Sequence, residues 1–411
     1  MYKIGGSMIE RTAISRIEEL SKHFPVIMVC GARQTGKTTL LREFAEKRSG
    51  INYVTLDYPA LKQLAKSDPE LFLQQYKTPL IIDEIQYAPE LLPFIKINVD
   101  KNNASGQYFL TGSQMFHAMK NVSESLAGRV AVFSLFSLSY SEIIGRESKA
   151  FLPDDVPFFE QKRTISEVFG QIYRGGMPKL TVDREILPED YFGSYMQTYL
   201  ERDIRDLINI KDEEKFLKFI SCAAARTAQE LNLSDISKEI GIDSKTADKW
   251  LSVLVSSGIV VLLSPFSANT VKRIVKRPKL YFMDTGLACY LSFWNNPRAL
   301  ELSAMSGAMF ETYVVSEIIK SYANKGIDIR SRLCYYRDNN SKEIDLLIVQ
   351  NGKIFPIEIK KSANPGREVL KNFSVIRYLN NFEAGKGCIL CMTGSTLPID
   401  GMNSLIPIDA I

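Results

Sequence analysis

The sequence predicts an α/β protein in three parts: a doubly wound parallel sheet, a helical region, and a second α/β unit. Over residues 26–135, short runs of β-branched and aromatic residues alternate with helical patterns, an order typical of parallel strands joined by helices. From Gly307 onward the order changes to a helix, three strands, a helix and a strand. This change indicates that the C-terminal part forms a sheet of its own.

Length and composition are those of a globular protein with several domains. The chain has 411 residues, of which 45 % are hydrophobic and 24 % charged, values that exclude disordered, collagen-like and coiled-coil proteins. At about 100 to 200 residues per domain, two to four domains fit this length. We predict four segments: the first sheet domain over 1–145, a helical connector or lid over 146–215, a helix-turn-helix region over 216–300, and the second α/β domain over 301–411.

Charge and residue usage narrow the possible partners and metal sites. The 51 basic and 47 acidic residues leave a net charge of +4, which is too small to indicate nucleic-acid binding by itself, so any basic surface must be local. Two histidines and six cysteines argue against a histidine-rich metal site or a chain held by disulfides. No apolar run reaches the ~18 residues of a membrane-spanning helix, and the first residues lack the apolar core of a signal peptide. We therefore expect a cytoplasmic protein that does not bind membranes.

A glycine-rich loop follows the first predicted strand. The apolar run Val26–Cys30 leads into GARQTGKT, which fits the pattern GxxxxGK[ST], and a helical pattern begins at Thr39. In such loops, backbone N–H groups and the helix N-terminus bind phosphate oxygens, the lysine reaches the β and γ phosphates, and the hydroxyl binds Mg²⁺. The residues expected to bind a nucleotide here, with Thr38 as the metal ligand, are Gly31, Ala32, Arg33, Gln34, Thr35, Gly36, Lys37, Thr38 and Thr39.

A pair of carboxylates follows another apolar strand. The run Leu80–Ile82 ends in Asp83 and Glu84. We expect Asp83 to bind Mg²⁺ through water, Glu84 to orient or deprotonate the attacking water, and Lys37 to act with them on the phosphates. Acids after a strand can instead cap a helix, but the glycine-rich loop upstream favours the nucleotide role.

Two further segments carry candidates for the same site. A predicted strand ends in Thr111-Gly112-Ser113, where Thr111 or Ser113 could sense the γ phosphate or position water, although these residues are also ordinary turn formers. Arg129, in the segment SLAGRV, could act as an arginine finger on nucleotide in its own or a neighbouring subunit. It could equally be a surface arginine at the start of a strand.

The motifs named so far resemble those of a known family. GARQTGKT, PLIIDEIQ, FLTGSQ and SLAGRV are similar to motifs of prokaryotic AAA-type P-loop ATPases in which a winged helix and a restriction-endonuclease-like domain follow the ATPase domain. The resemblance spans nearly the whole chain. It implies ATP binding with ATP hydrolysis and a C-terminal domain of nuclease-like fold, and such ATPases commonly assemble into homo-oligomers.

A helix-turn-helix pattern lies between the two predicted sheets. A short helical pattern ends at Gly241, and a longer helix, Lys245–Ser256, follows a predicted cap at Ser244. Two apolar runs, Ile259–Leu263 and Lys279–Met283, would then flank a wing.

The predicted wing is basic. Residues 271–279 hold five basic residues and no acid. For DNA contact, we expect the wing to neutralise phosphates while the second helix faces the groove; the residues on or near that helix are Lys245, Thr246, Lys249 and Trp250. The alternative is a domain spacer or protein-contact module whose charged hairpin is simply solvated.

The C-terminal unit contains a predicted hairpin whose acids face each other. Two alternating segments flank Asn351-Gly352, a strong two-residue turn. This turn would pair Asp345 with Glu358 and Glu343 with Lys360, and would place one set of apolar residues on a single core face: Ile344, Leu346, Ile348, Phe355, Ile357 and Ile359. Like charges directly opposite are unfavourable, so the first pair indicates a divalent cation between the carboxylates.

The spacing of Asp345, Glu358 and Lys360, preceded by a helix with Glu311, resembles the PD-(D/E)xK nuclease superfamily. By that resemblance Glu311, Asp345 and Glu358 would bind Mg²⁺, with Glu358 and Lys360 catalytic and Lys360 orienting water or stabilising negative charge. The alternative is an inherited fold in which Lys360, Lys361 or Arg337 holds the acids in salt bridges.

Three functions fit these observations. The first is a DNA-associated ATPase in which the nucleotide state repositions the winged helix and the nuclease-like domain. The second is a metal-dependent DNA endonuclease gated by ATP, and the third is an ATP-driven signalling or scaffold switch that contacts only protein. DNA-stimulated ATP turnover would separate the first two from the third.

Overall fold

The computed structural model describes residues 3–4, 7–112, 125–199, 213–267, 277–338, 342–379 and 382–411. A short antiparallel pair, β1 (Lys3–Ile4) and β2 (Ser7–Met8), comes first. The first large sheet contains β3 (Val26–Cys30), β4 (Asn52–Thr55), β5 (Leu80–Asp83), β6 (Tyr108–Gly112) and β7 (Val130–Ser134). All five strands are parallel, in the order β4-β5-β6-β3-β7. This confirms the predicted parallel α/β sheet.

Helices cover both faces of this sheet. They are α1 (Ala13–Ser21), α2 (Lys37–Glu46), α3 (Pro59–Ser67), α4 (Pro69–Gln75) and α5 (Leu91–Asn102). Ile27 and Val29 of β3 pack in one core with α1 and α2, whereas Val26 and Met28 pack in another with α3, α4 and α5. Alternate residues of one strand thus enter two cores, as expected for a parallel strand buried on both faces.

The middle of the chain is helical and includes a small antiparallel sheet. Its helices are α6 (Tyr140–Ile143), α7 (Ile165–Arg174), α8 (Pro178–Val182), α9 (Pro188–Tyr199), α10 (Glu213–Ala224), α11 (Leu233–Ile240) and α12 (Ser244–Ser256). Its strands, in the order β8-β10-β9, are β8 (Gln229–Glu230), β9 (Val260–Leu263) and β10 (Lys279–Phe282). Residues 268–276, which hold most of the predicted wing, lie outside the described part of the chain.

The turn between α11 and α12 differs in one detail from the prediction. Gly241 ends α11 in the left-handed conformation, with φ 72°, as a C-terminal glycine commonly does. The cap of α12 is Asp243, whose carboxylate accepts the N–H of Thr246 at 2.9 Å, and not Ser244. A carboxylate accepts this bond as readily as a hydroxyl and adds favourable charge at the helix N-terminus.

The C-terminal part contains a second sheet of seven strands. It is preceded by α13 (Thr285–Leu291), α14 (Pro297–Leu302) and α15 (Ser306–Ala323). Its strands are β11 (Leu333–Arg337), β12 (Glu343–Gln350), β13 (Lys353–Lys360), β14 (Glu383–Ala384), β15 (Gly387–Cys391), β16 (Leu397–Pro398) and β17 (Asn403–Pro407). The order is β11-β12-β13-β15-β17-β16, with β14 beside β13. Short 3₁₀ helices are Ile85–Tyr87, Pro153–Asp155, Ile329–Ser331, Arg367–Tyr378 and Ile408–Ala410.

The predicted hairpin is present, but its strand pairing runs only from Leu346–Ile357 to Gln350–Lys353, so the expected pairing of Asp345 with Glu358 is wrong. Asn351 and Gly352 both have positive φ and form the turn, and Gln350 pairs with Lys353. The pairing of β11 with β12 shifts between Cys334 and Tyr336. The prediction that Ile344 shares a core face with Leu346 is therefore wrong. Ile344 instead packs with Leu347 and Cys334, because an extra residue in a strand reverses the side-chain alternation beyond it.

One apolar core runs through the middle and C-terminal parts. It includes Phe169 of α7, Phe219 of α10, Leu280 of β10, Ile319 of α15 and Leu390 of β15. These elements therefore pack as one body, and the boundaries near residues 145, 215 and 300 stay predictions. Among the described residues, no helix combines the length and apolar character needed to cross a membrane.

Candidate nucleotide site

The glycine-rich loop lies at the carboxyl end of β3. Gly31 has a φ of 150°, and a Cβ built on it would lie 2.1 Å from the carbonyl oxygen of Leu135, so only glycine fits there. Gly36, the N-cap residue of α2, is in the left-handed conformation, and Gln34 also has positive φ. This backbone turns the loop back over the start of α2, which is the geometry of a phosphate-binding loop.

Lys37 is the first residue of α2 and is buried. Its ammonium donates to the carbonyl oxygens of Gly31 and Ala32, at 3.0 and 2.9 Å. The amino group therefore lies inside the curve of the loop, where a positive charge meets anions bound by the loop.

Asp83, at the end of β5, is the centre of a hydrogen-bond cluster. Its buried carboxylate accepts from the hydroxyl of Thr38 at 2.9 Å, from the hydroxyl of Tyr53 at 2.8 Å, and from the hydroxyl of Thr111. Two of the predicted partners, Thr38 and Thr111, are thus brought to Asp83 from different elements. Hydroxyl and carboxylate oxygens are ligands that Mg²⁺ prefers.

Tyr53 is a member of the site that sequence reasoning missed. It lies on β4, and no spacing relative to the loop identifies it. Burial, followed by the charge of Asp83, raises the pKa of Tyr53 to about 12. The phenol therefore stays neutral near neutral pH and remains a hydrogen-bond donor to Asp83.

Glu84 follows Asp83 in the left-handed conformation, with φ 60°. Its backbone N–H donates to the Thr111 hydroxyl at 3.0 Å, and its carboxylate accepts from the side-chain amide of Gln86. Thr111 therefore contacts both acids of the motif, because the end of β6 lies beside the end of β5. Ser113 lies outside the described residues.

Arg11 also contacts the loop, which its position in the sequence did not predict. Its guanidinium donates to the carbonyl oxygens of Thr35, at 3.1 Å, and Phe136, at 2.9 Å. It also forms an ion pair with Glu142, with 3.1 Å between Nε and Oε1. A buried arginine is stable only when paired, and here its partners are the loop, the Phe136 carbonyl and Glu142 of α6.

The middle of the chain completes the surroundings of the loop. Tyr191 of α9 donates to the side-chain oxygen of Gln34 at 2.6 Å. A small cleft beside the loop is lined by apolar residues, such as Ile9 and Pro178, and by the charged residues Arg11 and Glu43.

Arg129 is not brought to this site. It precedes β7 at the amino end of the sheet, where its carbonyl accepts the N–H of Val26, whereas the loop lies at the carboxyl end. The length of a five-residue strand, about 16 Å, separates the two edges. Its guanidinium instead pairs with Asp100 of α5 at 2.5 Å.

The acidic side chains of the C-terminal sheet lie close together, but a lysine contacts each of them. Lys360 donates to Glu358 at 2.8 Å and to Asp345 at 3.2 Å. Asp345 also accepts the backbone N–H of Ile359 at 2.9 Å, where the strand pairing would otherwise continue.

Glu311 has partners from β10. It accepts from the Lys279 ammonium at 3.1 Å and from the Tyr281 hydroxyl at 2.7 Å. Glu343, predicted to face Lys360, instead pairs with Lys279 at 2.6 Å. Burial, followed by the charge of Asp345, raises the pKa values of Glu311 and Glu358 well above the usual carboxyl value.

These contacts do not fit the predicted Mg²⁺ site. In the part of the chain that the structure describes, no group of three or more His, Cys, Asp or Glu side chains is arranged to hold a metal ion. The alternative, acids held in salt bridges, matches Lys360. Arg337 pairs with Glu343 and Glu230, at 3.4 and 3.3 Å, and not with the predicted ligands, and Lys361 contacts the Ser306 hydroxyl and the Glu301 carbonyl.

Two residues expected to face DNA are buried instead. Trp250 packs edge-on against Phe216 and Phe219 in the core, because it lies on the inner side of α12. Lys279, counted with the basic wing, is buried in its ion pairs with Glu311 and Glu343. Lys245 and Lys249 remain exposed, and Thr246 is half-buried beside its cap Asp243.

Three protein families match successive parts of the chain. Residues 23–144 match a family described as an AAA domain. This part of the chain is an AAA-type P-loop domain. Residues 166–298 and 306–411 match two families, each described as a domain of unknown function.

Two uncharacterized proteins are similar to most of this chain. The uncharacterized protein Rv2008c of Mycobacterium tuberculosis is 27 % identical over 368 residues, which cover 88 % of this chain and 76 % of the relative. The uncharacterized protein MJ1544 of Methanocaldococcus jannaschii is 22 % identical over 340 residues, covering 79 % and 72 %. Among solved structures, a Walker-type ATPase of Pyrococcus abyssi aligns with a TM-score of 0.45 at 14 % identity, over 71 % of this chain and 97 % of that one.

Proposed function

We propose that the protein binds ATP with Mg²⁺ and hydrolyses it. The observation that carries this proposal is the meeting of Lys37, Thr38 and Asp83 at one edge of the parallel sheet, with a glycine-rich loop whose backbone leaves no room for a side chain at Gly31. The match of residues 23–144 to an AAA domain supports it.

The residues present fit the nucleotide and its metal. The loop N–H groups and Lys37 would bind the phosphates, with the ammonium exchanging its two carbonyl partners for phosphate oxygens. Thr38 and Asp83 would hold Mg²⁺, which supplies charge neutralisation at the phosphates.

The neighbouring residues would handle the attacking water. Glu84 would orient it or accept its proton. Thr111, which contacts both Asp83 and the backbone of Glu84, would report the state of the γ phosphate to both acids. Arg129 lies at the far edge of the sheet, so it would act on nucleotide only from a neighbouring subunit of a homo-oligomer.

The test is ATP binding and turnover in Lys37→Ala. We expect turnover to fall at least about 100-fold, because the residue contacts charge that develops during phosphoryl transfer. Lys66→Ala, which removes an exposed lysine on α3, is the matched control and should leave turnover unchanged. Equal ATP turnover in Lys37→Ala and wild type would contradict the proposal.

DNA contact is a second candidate function. The helices α11 and α12 meet at a tight turn and are followed by antiparallel strands, an arrangement consistent with a winged helix. Lys245 and Lys249 are exposed on α12, and four basic residues of the predicted wing remain once Lys279 is removed from it. The ATPase would then act on or with DNA through this region.

Salt dependence tests the DNA proposal. If Lys245 and Lys249 contact phosphates, duplex binding should weaken steeply with salt, and the double variant Lys245→Ala/Lys249→Ala should lower the slope of log K against log salt by about 2. Lys66→Ala again serves as control. Absence of DNA binding, with no stimulation of ATP turnover by DNA, would favour an ATP-driven switch that contacts only protein. The endonuclease alternative is disfavoured by the lysines on the C-terminal acids.

A further inference from the structure

We propose that Lys279 and Lys360 together take the place of a divalent cation among the C-terminal acids, so that this cluster fastens β10 to the C-terminal sheet without metal. The inference concerns a site other than the nucleotide loop and does not depend on ATP. It begins from the mismatch between the ligands that the nuclease-like pattern implies and the partners that they have here.

Every predicted metal ligand already contacts an ammonium group. Glu311 contacts Lys279 at 3.1 Å, and Asp345 and Glu358 contact Lys360 at 3.2 and 2.8 Å. The two ammonium groups carry the same total charge as one Mg²⁺ ion. They therefore supply the charge that would otherwise come from a bound divalent cation.

Lys279 comes from outside the C-terminal sheet and is fixed in position. It lies on β10, the central strand of β8-β10-β9, with its backbone paired to Glu230 and Leu263. Only 3 % of its side chain is exposed. Lysine is almost never buried to this extent unless it is paired, and its partners here are two acids of the C-terminal part, Glu311 and Glu343.

A second residue on the same face of β10 donates a hydrogen bond to the same carboxylate. Tyr281, two residues beyond Lys279, donates to Glu311 at 2.7 Å. Residues two apart in a strand point to the same side, so β10 presents an ammonium and a phenol together to one carboxylate. This contact between β10 and α15 is therefore specific, and both donors bind the same oxygen, Oε1 of Glu311.

The experiment removes the lysine and offers a metal in its place. The melting temperatures of full-length wild type, Lys279→Met and Lys353→Met are measured without nucleotide, with and without Mn²⁺. Lys353 is an exposed lysine at the other end of β13, which makes it the matched control. We expect Lys279→Met to melt lower and to be restabilised by Mn²⁺, whereas wild type and Lys353→Met gain nothing at the cluster.

A change at Asp345 tests whether the metal binds within this cluster. In Lys279→Met/Asp345→Asn the restabilisation by Mn²⁺ should be lost, and the count of bound Mn²⁺ by titration should fall by one relative to Lys279→Met. If Lys279→Met does not fold, Lys279→Met/Glu343→Gln removes one uncompensated carboxylate and keeps all three predicted ligands, so it carries the same test.

Two results would overturn the proposal. One is Mn²⁺ binding by wild type that Asp345→Asn abolishes, because the cluster would then be a metal site despite its lysines. The other is folded Lys279→Met, or its double variant, that gains neither Mn²⁺ binding nor stability from Mn²⁺, because the lysine would then not replace a cation.

Discussion

Glu317 of α15 accepts the backbone N–H of Tyr140 at 2.6 Å, at the point where the chain leaves the first sheet. Lys320, one turn later, pairs with Glu317 and donates to the carbonyl oxygen of Leu138. The same segment carries Glu142, the partner of Arg11, which holds the phosphate loop. The long helix α15 and the phosphate loop, through Arg11, thus both make polar contacts with the segment from Leu138 to Glu142.

Removing Glu317 should therefore weaken the whole chain. We expect Glu317→Ala to lower the free energy of unfolding by about 3 to 5 kcal/mol, because a buried ammonium loses its carboxylate. Glu214→Ala, which breaks an exposed pair with Lys218, should change it by about 0.5 kcal/mol or less. Denaturant unfolding measures both, and equal effects of the two variants would argue against the Glu317 contacts.

Tyr53→Phe tests the hydroxyl that reaches Asp83. We expect stability to fall by about 1 kcal/mol and the Mg²⁺ concentration for half-maximal ATP turnover to change, because Asp83 loses one of three hydroxyl donors. Tyr58→Phe is the control, since Tyr58 is exposed. A Mg²⁺ dependence identical to that of wild type would show that Tyr53 does not position the carboxylate.

Glu84→Gln should separate binding from chemistry. Loss of a general base lowers turnover by about 10²- to 10⁴-fold, while ATP affinity should stay near that of wild type because Lys37 and the loop are intact. Glu90→Gln, at an exposed position just beyond it, should retain full turnover. Parallel loss of affinity and turnover in Glu84→Gln would instead indicate a structural role for Glu84.

Stability should fall as pH rises above the usual carboxyl range. The pKa of Glu358 is raised above its ordinary value of 4.5 by burial and by Asp345, so above pH 4.5 the folded state holds a proton that the unfolded state has released. The unfolding free energy then decreases with pH until the folded group also ionises. Melting temperatures between pH 5 and 8 should fall less steeply in Glu358→Gln, and identical slopes would show that Glu358 is not the group responsible.

The sequence predicted the parts of the site that depend on local pattern. The loop from Gly31 to Thr38 and the strand before Asp83 are recognisable because a strand, a glycine turn and a helix follow each other directly. The meeting of Asp83 with Thr38 and Thr111 also follows, since the carboxyl ends of parallel strands share one edge.

The parts that escaped prediction depend on contacts between distant elements. Tyr53 reaches Asp83 because β4 lies beside β5, and Arg11, two residues before α1, reaches the carbonyl oxygen of Thr35 in the loop. Lys279 belongs by composition to a basic run, and only the packing of β10 against α15 shows that its partner is Glu311. Ile344 packs in a different core from the one predicted because of a single bulge, which the hairpin pattern does not reveal.

The core that joins the middle and C-terminal parts also constrains how these parts can vary. Phe169 of α7 and Phe310 of α15 have ring centroids 6.5 Å apart, so a change in the volume of one must be accommodated by the other. We therefore expect that exchanging the C-terminal segment alone for that of a relative lowers stability. It would have to be replaced together with the helices from α7 to α14, and relatives should differ in these two regions in a correlated way.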